Sequence, residues 1–293
     1  MGGRARATFR GFRRAQPAGV GTGVGGRGGF TLVEMLVVVA VLATLATLLA
    51  PSLLRARDLA ERGVCVANIH LLQQANHLYE KGHDGFYAPG APYMYPAADM
   101  PESVRVNCVR WFGVRGGMSE SFSRDGGPLS PYLSGHMVKG CPSFEDFERG
   151  FEAGCGGYGY NNSFVGQYIV RQRGGRYRIG HPKWHVMGNL AHAFLRPAET
   201  VAFTDTAFPG ASGVMEYSFC EAPKWPLSPQ RLVVPSIHFR HLGTANVVWL
   251  DGHVSSERMT FSDEALPGPV AGRARAHDIG WFGPKTNRLF DCE

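Results

Sequence analysis

From Phe30 to Leu54 the chain reads "FTLVEMLVVVAVLATLATLLAPSLL", with Glu34 as its sole charged side chain. A helix needs about 20 predominantly apolar residues to cross a bilayer core, and this stretch exceeds that. Arg27 precedes it, and Arg55 and Arg57 follow. The positive charge is heavier on the leader side, which keeps the N-terminus cytoplasmic and sends the remainder across.

The formal net charge of +6 invites a nucleic-acid partner, but its distribution removes that reading. Residues 1–29 carry six arginines (Arg4, Arg6, Arg10, Arg13, Arg14, Arg27) and no acid. Taking 6 from 30 leaves 24 basic residues against 24 acidic ones over 30–293, so the chain beyond the leader is formally neutral. The Gly- and Arg-rich leader has no apolar periodicity and is expected to lack a fold of its own. An ordinary secretory signal has a short apolar core followed by small residues. Here the small pair, Gly28 and Gly29, comes first, so cleavage there leaves the helix on the product.

Helical spacing continues past the apolar run. Leu59, Val66, Ile69, Leu72 and Leu78 recur mostly every three or four residues, and Gly82 follows Lys81 as a C-terminal cap. A helix over 31–81 is roughly 75 Å long at 1.5 Å per residue. Pro51 and Gly63 are expected to bend or loosen it. After Gly82 short aromatic or apolar runs alternate with Gly, Pro, Asn and Asp, as in "YGYNNSFVGQYIV", "ETVAFTDTAF" and "TANVVWLDGHVSS". That texture predicts short antiparallel strands and long loops in one globular domain.

With the glycine, the apolar helix and the lone glutamate in place, "GFTLVEMLVVVAVLATLATLLAP" resembles the N-terminal segment of type IV prepilins and type II secretion pseudopilins. The resemblance implies cleavage by a prepilin peptidase after Gly29, N-methylation of the exposed Phe30, and use of Glu34 in fibre assembly. Pro51 stands where many members carry a helix-bending proline. The 29-residue leader is longer than in many pilins. Towards the C-terminus His241, nine intervening residues and then Asp251-Gly252 resemble the H-X9-DG signature of a large pilin-like group. "GYGYNNS", "RPAETVAFTDT" and "VKGCPS" also look like segments of that group. A carboxylate at mid-bilayer costs about 2.5–3.5 kcal/mol on insertion scales. Glu34 could offset the new amine of Phe30 within its own helix or on a neighbour, where the pair would set axial register. The blander reading has Glu34 snorkelling to the headgroups.

Metal and catalytic readings are weaker. His238, His241, Asp251 and His253 crowd one tract, but zinc needs three or four converging ligands and the intervening "TANVVWL" reads as a buried strand. Asp251-Gly252 therefore reads as a tight hairpin turn. His181 and His185 are read as solvated loop residues, and no metal site is assigned. Calcium enters only because some major pseudopilins bind it; the Asp-rich spacing it needs is not evident. Nucleophile-elbow, His-Glu-x-x-His and phosphate-loop patterns are not found. The aromatics of "YGYNNSFVGQY" read as core, with a ligand platform as the alternative.

The six cysteines contain no Cys-x-x-Cys pair. Cys141 and Cys155 flank "PSFEDFERGFEAG", and a bridge between them would stabilise the fold by roughly 3 kcal/mol in the chain-entropy model. Export favours the bridge over free thiols. Cys65, on the long helix, has no evident partner.

These readings combine into an α+β, pilin-like chain. It has a leader over 1–29, a long helix over 30–81 whose membrane part is 30–54, and a β-rich domain over 82–293. The expected role is a structural subunit of a pseudopilus or pilus-like fibre without enzymatic activity. Its implied partners are a prepilin peptidase and methyltransferase, other pilin or pseudopilin subunits, an inner-membrane assembly platform and membrane lipid. No cofactor or nucleic acid is expected. The rivals are a membrane-anchored enzyme or ligand-binding protein and a minor pilin for DNA uptake. A convergent polar pocket would favour the former, and a basic stripe the latter.

Overall fold

A single long helix, α1 (Leu32–Gly82), is the first element of the described residues and contains Pro51. The computed structural model describes residues 29–94, 106–136, 138–144, 147–148, 150–172, 177–179, 186–228, 231, 233–262 and 269–292. Residues 1–28 of the leader, and His181 and His185, lie outside them. The chain divides into two compact units at Pro51 and Ser52.

In the first unit every described residue from Gly29 to Pro51 is exposed. Leu32 and Leu48 have 81% and 71% of their surface open. In the second unit α1 is half-sunk in the domain. Its buried face is Cys65, Asn68, Ile69, Leu72, Gln73, Ala75 and Asn76. Only Ile69 and Leu72 of the expected apolar positions belong to it. Leu59 and Leu78 are more than half exposed, because the polar members of the face find partners in the domain. The helix also ends later than expected. Gly82 is still helical, and the chain reverses through the left-handed Asp84 and Gly85, whose N–H donates to Glu80 O at 3.1 Å.

The main sheet has four antiparallel strands: β1 (Tyr158–Tyr160), β2 (Val201–Asp205), β3 (Thr244–Trp249) and β4 (Val254–Arg258), in the order β4-β3-β2-β1. β2 is buried along its whole length and β3 at all but its first residue, so both read as near-continuous apolar runs rather than alternating ones. The register pairs Val248 with Val254 on one side and with Phe203 on the other, and then shifts before Trp249 meets Val201. The remaining strands form two- and three-stranded pieces. One pairing, Val214–Met215 with Phe147–Glu148, is parallel against the general antiparallel expectation.

The core centres on Trp111, Tyr160 and Phe203, all fully buried. Tyr160 stacks on Phe203 with centroids 4.5 Å apart, and Trp111 meets Phe203 edge-on at 5.3 Å. Each buried ring of this kind contributes about 1.5–3 kcal/mol of burial free energy. Tyr158 and Phe164 are also fully buried, so the aromatics of the "YGYNNSF" stretch serve the core. Two buried carboxylates are held within this interior. Glu152 takes a bidentate grip from Arg110 at 2.6–3.0 Å, and Glu216 accepts from the N–H groups of Gly154 and Gly156 at 2.7 and 2.6 Å. The α+β architecture expected from the sequence is therefore present.

Candidate functional site

The N-terminal segment is built around Thr31. Its carbonyl accepts the first intrahelical bond, from Met35 N at 3.2 Å. Glu34 Oε2 accepts from Thr31 N and from Thr31 Oγ1, each at 2.8 Å, while Glu34 N donates to Thr31 Oγ1 at 3.2 Å. This is a reciprocal capping box, and it satisfies donors that a helix start leaves open. Glu34 thus has a local role besides the one the family resemblance implies. The Thr-x-x-Glu spacing was legible in the sequence and supplies a third reading of the residue. Gly29 lies two residues before the cap. A Cβ built on it meets nothing within 4 Å, and its φ is not in the left-handed region. The chain's own fold therefore does not require a glycine there.

The histidine–Asp-Gly tract lies in the second unit and is held at both ends. At its far end Trp249 N donates to His253 O at 3.0 Å and Gly252 N to Trp249 O at 2.9 Å, closing the β3–β4 hairpin. Gly252 takes φ +97°, which a side-chain-bearing residue adopts reluctantly. Asp251 accepts from His253 N and faces His253 Nδ1 at 2.7 Å. The helix grips the same turn. Gln73 Nε2 and His77 Nε2 reach Leu250 O at 2.8 and 2.7 Å, and His70 Nδ1 reaches Gly252 O at 3.0 Å.

At its near end His241 bridges to Thr244 through paired backbone bonds of 3.0 Å and is buried. Its Nε2 lies 3.3 Å from Asp205 Oδ2 and 3.6 Å from Cys141 Sγ. Asp205 is fully buried, accepts from Asn246 N at 2.7 Å, and pairs with Arg240 Nη2 at 2.8 Å. Arg240 Nε also donates to Cys141 Sγ at 3.3 Å. Cys65, from α1, completes the cluster. The segments that resembled one group in the sequence therefore converge. Cys141 comes from "VKGCPS" and Asp205 from "AFTDT", while Tyr158 from "GYGYNNS" accepts from Asn68 at 3.2 Å.

Burial raises the Asp205 carboxyl, but Arg240 and His241 outweigh it and hold the group below the usual range. Burial opposes charge on His241, yet its bonds to Asp205 and Cys141 raise it to about 9. The Cys65 thiol, Arg240 and His241 draw Cys141 down to about 4 against burial. Cys65 is pushed up by that same bond and by burial. His238 is driven down to about 3 by burial and by Arg240. One nitrogen of His241 faces both Asp205 and Cys141. A relay triad needs the two ring nitrogens to take separate partners, and that arrangement is not built here.

Two expectations change. Cys141 and Cys155 are both free thiols, because Cys141 turns towards Cys65 and His241 while Cys155 is buried next to Glu216. Cys65 is not solitary. The strand read from "TANVVWL" is present as β3 and keeps His241 apart from Asp251 and His253; Cys65, Cys141 and His241 are the set that comes together.

Residues 25–50 match the family model described as the prokaryotic N-terminal methylation motif. This match supports a type IV pilin-like protein. The motif implies processing by a prepilin peptidase and pilin-type assembly in general, and the apolar helix within it accords with membrane anchoring. No curated protein and no solved structure matches the pilin-like chain. Asp205, Arg240, His70, Gln73 and His77 were not singled out from the sequence. Nothing local marks them, because each acquires its partner from a segment at least 35 residues away.

Proposed function

We propose that this chain is a structural subunit of a type II secretion pseudopilus or a type IV pilus-like fibre. A prepilin peptidase cuts between Gly29 and Phe30, removing residues 1–29, and Phe30 is N-methylated. The subunit waits in the inner membrane with its N-terminus cytoplasmic and the domain over 82–293 periplasmic. An assembly platform then packs its helix against those of other subunits. The observation that supports this reading is the fully exposed apolar segment inside the methylation motif. Leaving so many Leu and Val side chains open costs about 1.5–3 kcal/mol each in water, so lipid or neighbouring helices are their natural surroundings.

In this reading Glu34 acts twice. Before processing it caps its own helix through Thr31, and after processing it lies four residues, about one helical turn, from the new amine of Phe30. Release from the capping box towards a neighbour's amine would set axial register. His241, Asp251 and Gly252 are structural: they fix the two ends of the hairpin on which the helix rests. Mass spectrometry of the N-terminal peptide from native membranes tests the proposal. The expected product begins at N-methylated Phe30, and assembled material that retains the leader would overturn it.

A further inference from the structure

The cluster at the near end of the hairpin has a shape that packing alone does not require. Cys65 Sγ, Cys141 Sγ and a ring nitrogen of His241 lie within 4.8 Å of one another, and all three residues are buried. They come from the long helix, a loop and the residue run before β3, so the fold has brought together donors widely separated in sequence. Zinc–sulfur and zinc–nitrogen bonds of about 2.3 and 2.0–2.1 Å at tetrahedral angles put sulfur and nitrogen about 3.6 Å apart. The Cys141–His241 separation is 3.6 Å.

We propose that Cys65, Cys141 and His241 form a binding site for one zinc ion that fastens the helix to the domain. Two thiolates and an imidazole in tetrahedral array suit zinc in preference to the oxygen-seeking cations. Asp205 Oδ2, 3.3 Å from the same imidazole nitrogen, is the oxygen donor nearest in kind to a fourth position. Arg240 supplies the outer contact by donating Nε–H to Cys141 Sγ. The charges balance: two thiolates and one carboxylate offset the dication and the guanidinium. Loading displaces to solvent the protons held on the two sulfurs and on His241 Nε2, and transfers no electrons. A polar cleft of about 360 Å³ leads to His241 past Asp58, Glu61 and Ser143, and offers a path for the ion.

A disulfide between Cys65 and Cys141 is the rival use of the same sulfurs. It would leave unexplained why an imidazole and a guanidinium both address Cys141, and both thiols are free. The zinc site instead uses every donor in the cluster. It would also tie metal supply to folding, since three separated segments meet only in the native chain.

The test uses the full chain, purified in detergent under reducing conditions. Elemental analysis is expected to find one zinc per chain. Co²⁺ in place of zinc should give thiolate-to-metal charge-transfer absorption and tetrahedral visible bands. Cys141→Ser should cut the charge-transfer intensity by half or more, and His241→Gln should weaken zinc retention at least ~10-fold. Cys108→Ser and Cys292→Ser should change neither. Wild-type protein that takes up neither Zn²⁺ nor Co²⁺ would overturn the proposal without reference to any variant's folding. So would a resident Cys65–Cys141 disulfide in native membranes, or metal uptake unaffected by substitutions at Cys65, Cys141 and His241.

Discussion

The two halves of the long helix invert the usual relation between hydropathy and burial. Up to Pro51 the helix is almost wholly apolar, and none of it is buried. From Ser52 onward it is mixed, yet it buries Asn68, Gln73 and Asn76 beside Ile69 and Leu72. Each buried amide has a partner: Asn68 holds Tyr158, Gln73 holds Leu250 O, and Asn76 Oδ1 accepts from Ala88 N at 3.0 Å. Buried polar groups carry little penalty once hydrogen-bonded. The contrast shows that the second half is written for this domain and the first for surroundings the chain does not itself provide.

Four tests would break or sharpen that contrast. The largest effect is expected from Gly29→Val, which should abolish leader removal while leaving the domain's melting temperature unchanged. Immunoblot mass shift and thermal denaturation of the same preparation would check both halves of the statement. A cleaved Gly29→Val chain would mean that the glycine serves neither the fold nor the peptidase.

Glu34→Val comes next. Membrane insertion should persist or improve, because an expensive carboxylate is gone, whereas incorporation into fibres should drop severely. Fractionation of membranes and sheared fibres reads the two separately. Glu34→Gln keeps a side-chain oxygen for Thr31 N–H and so retains the cap without the charge. If Gln restores assembly, helix capping accounts for the residue and charge pairing does not.

A matched pair of truncations tests burial directly. Ile69→Ala removes a fully buried side chain and should destabilise the domain by about 2–5 kcal/mol, seen as a lower midpoint in denaturant. Leu42→Ala, on the exposed half, should not move that midpoint. Equal effects at the two positions would remove the distinction drawn between the halves.

The smallest effect is expected at the hairpin. Gly252→Val forces a branched residue into a left-handed turn at a cost of about 1–2 kcal/mol. Space is not the obstacle, since the nearest atom to a new Cβ is His77 Cε1 at 3.9 Å. Gly252→Ala should therefore lose nearly as much as Val, and thermal denaturation of both variants would establish whether backbone strain or crowding sets the penalty.

The sequence alone was sufficient for the long helix, its apolar first half, the lone Glu34 and the runs that became β2, β3 and β4. Those features rest on composition and short-range periodicity, which act within a few residues. It also sufficed for the Asp251-Gly252 turn, because a positive φ is a local demand that glycine meets. What it left undetermined is which side of the second half of α1 faces inward. Leu59 and Leu78 looked as suitable as Ile69 and Leu72, and only the partners offered by Tyr158, Ala88 and Leu250 turned Asn68, Asn76 and Gln73 to the interior. Likewise spacing suggested Cys141 with Cys155 and left Cys65 alone. The tertiary structure decided otherwise, because the approach of Cys141 to Cys65 and His241 depends on how a helix, a loop and a strand meet, and no residue carries that information locally.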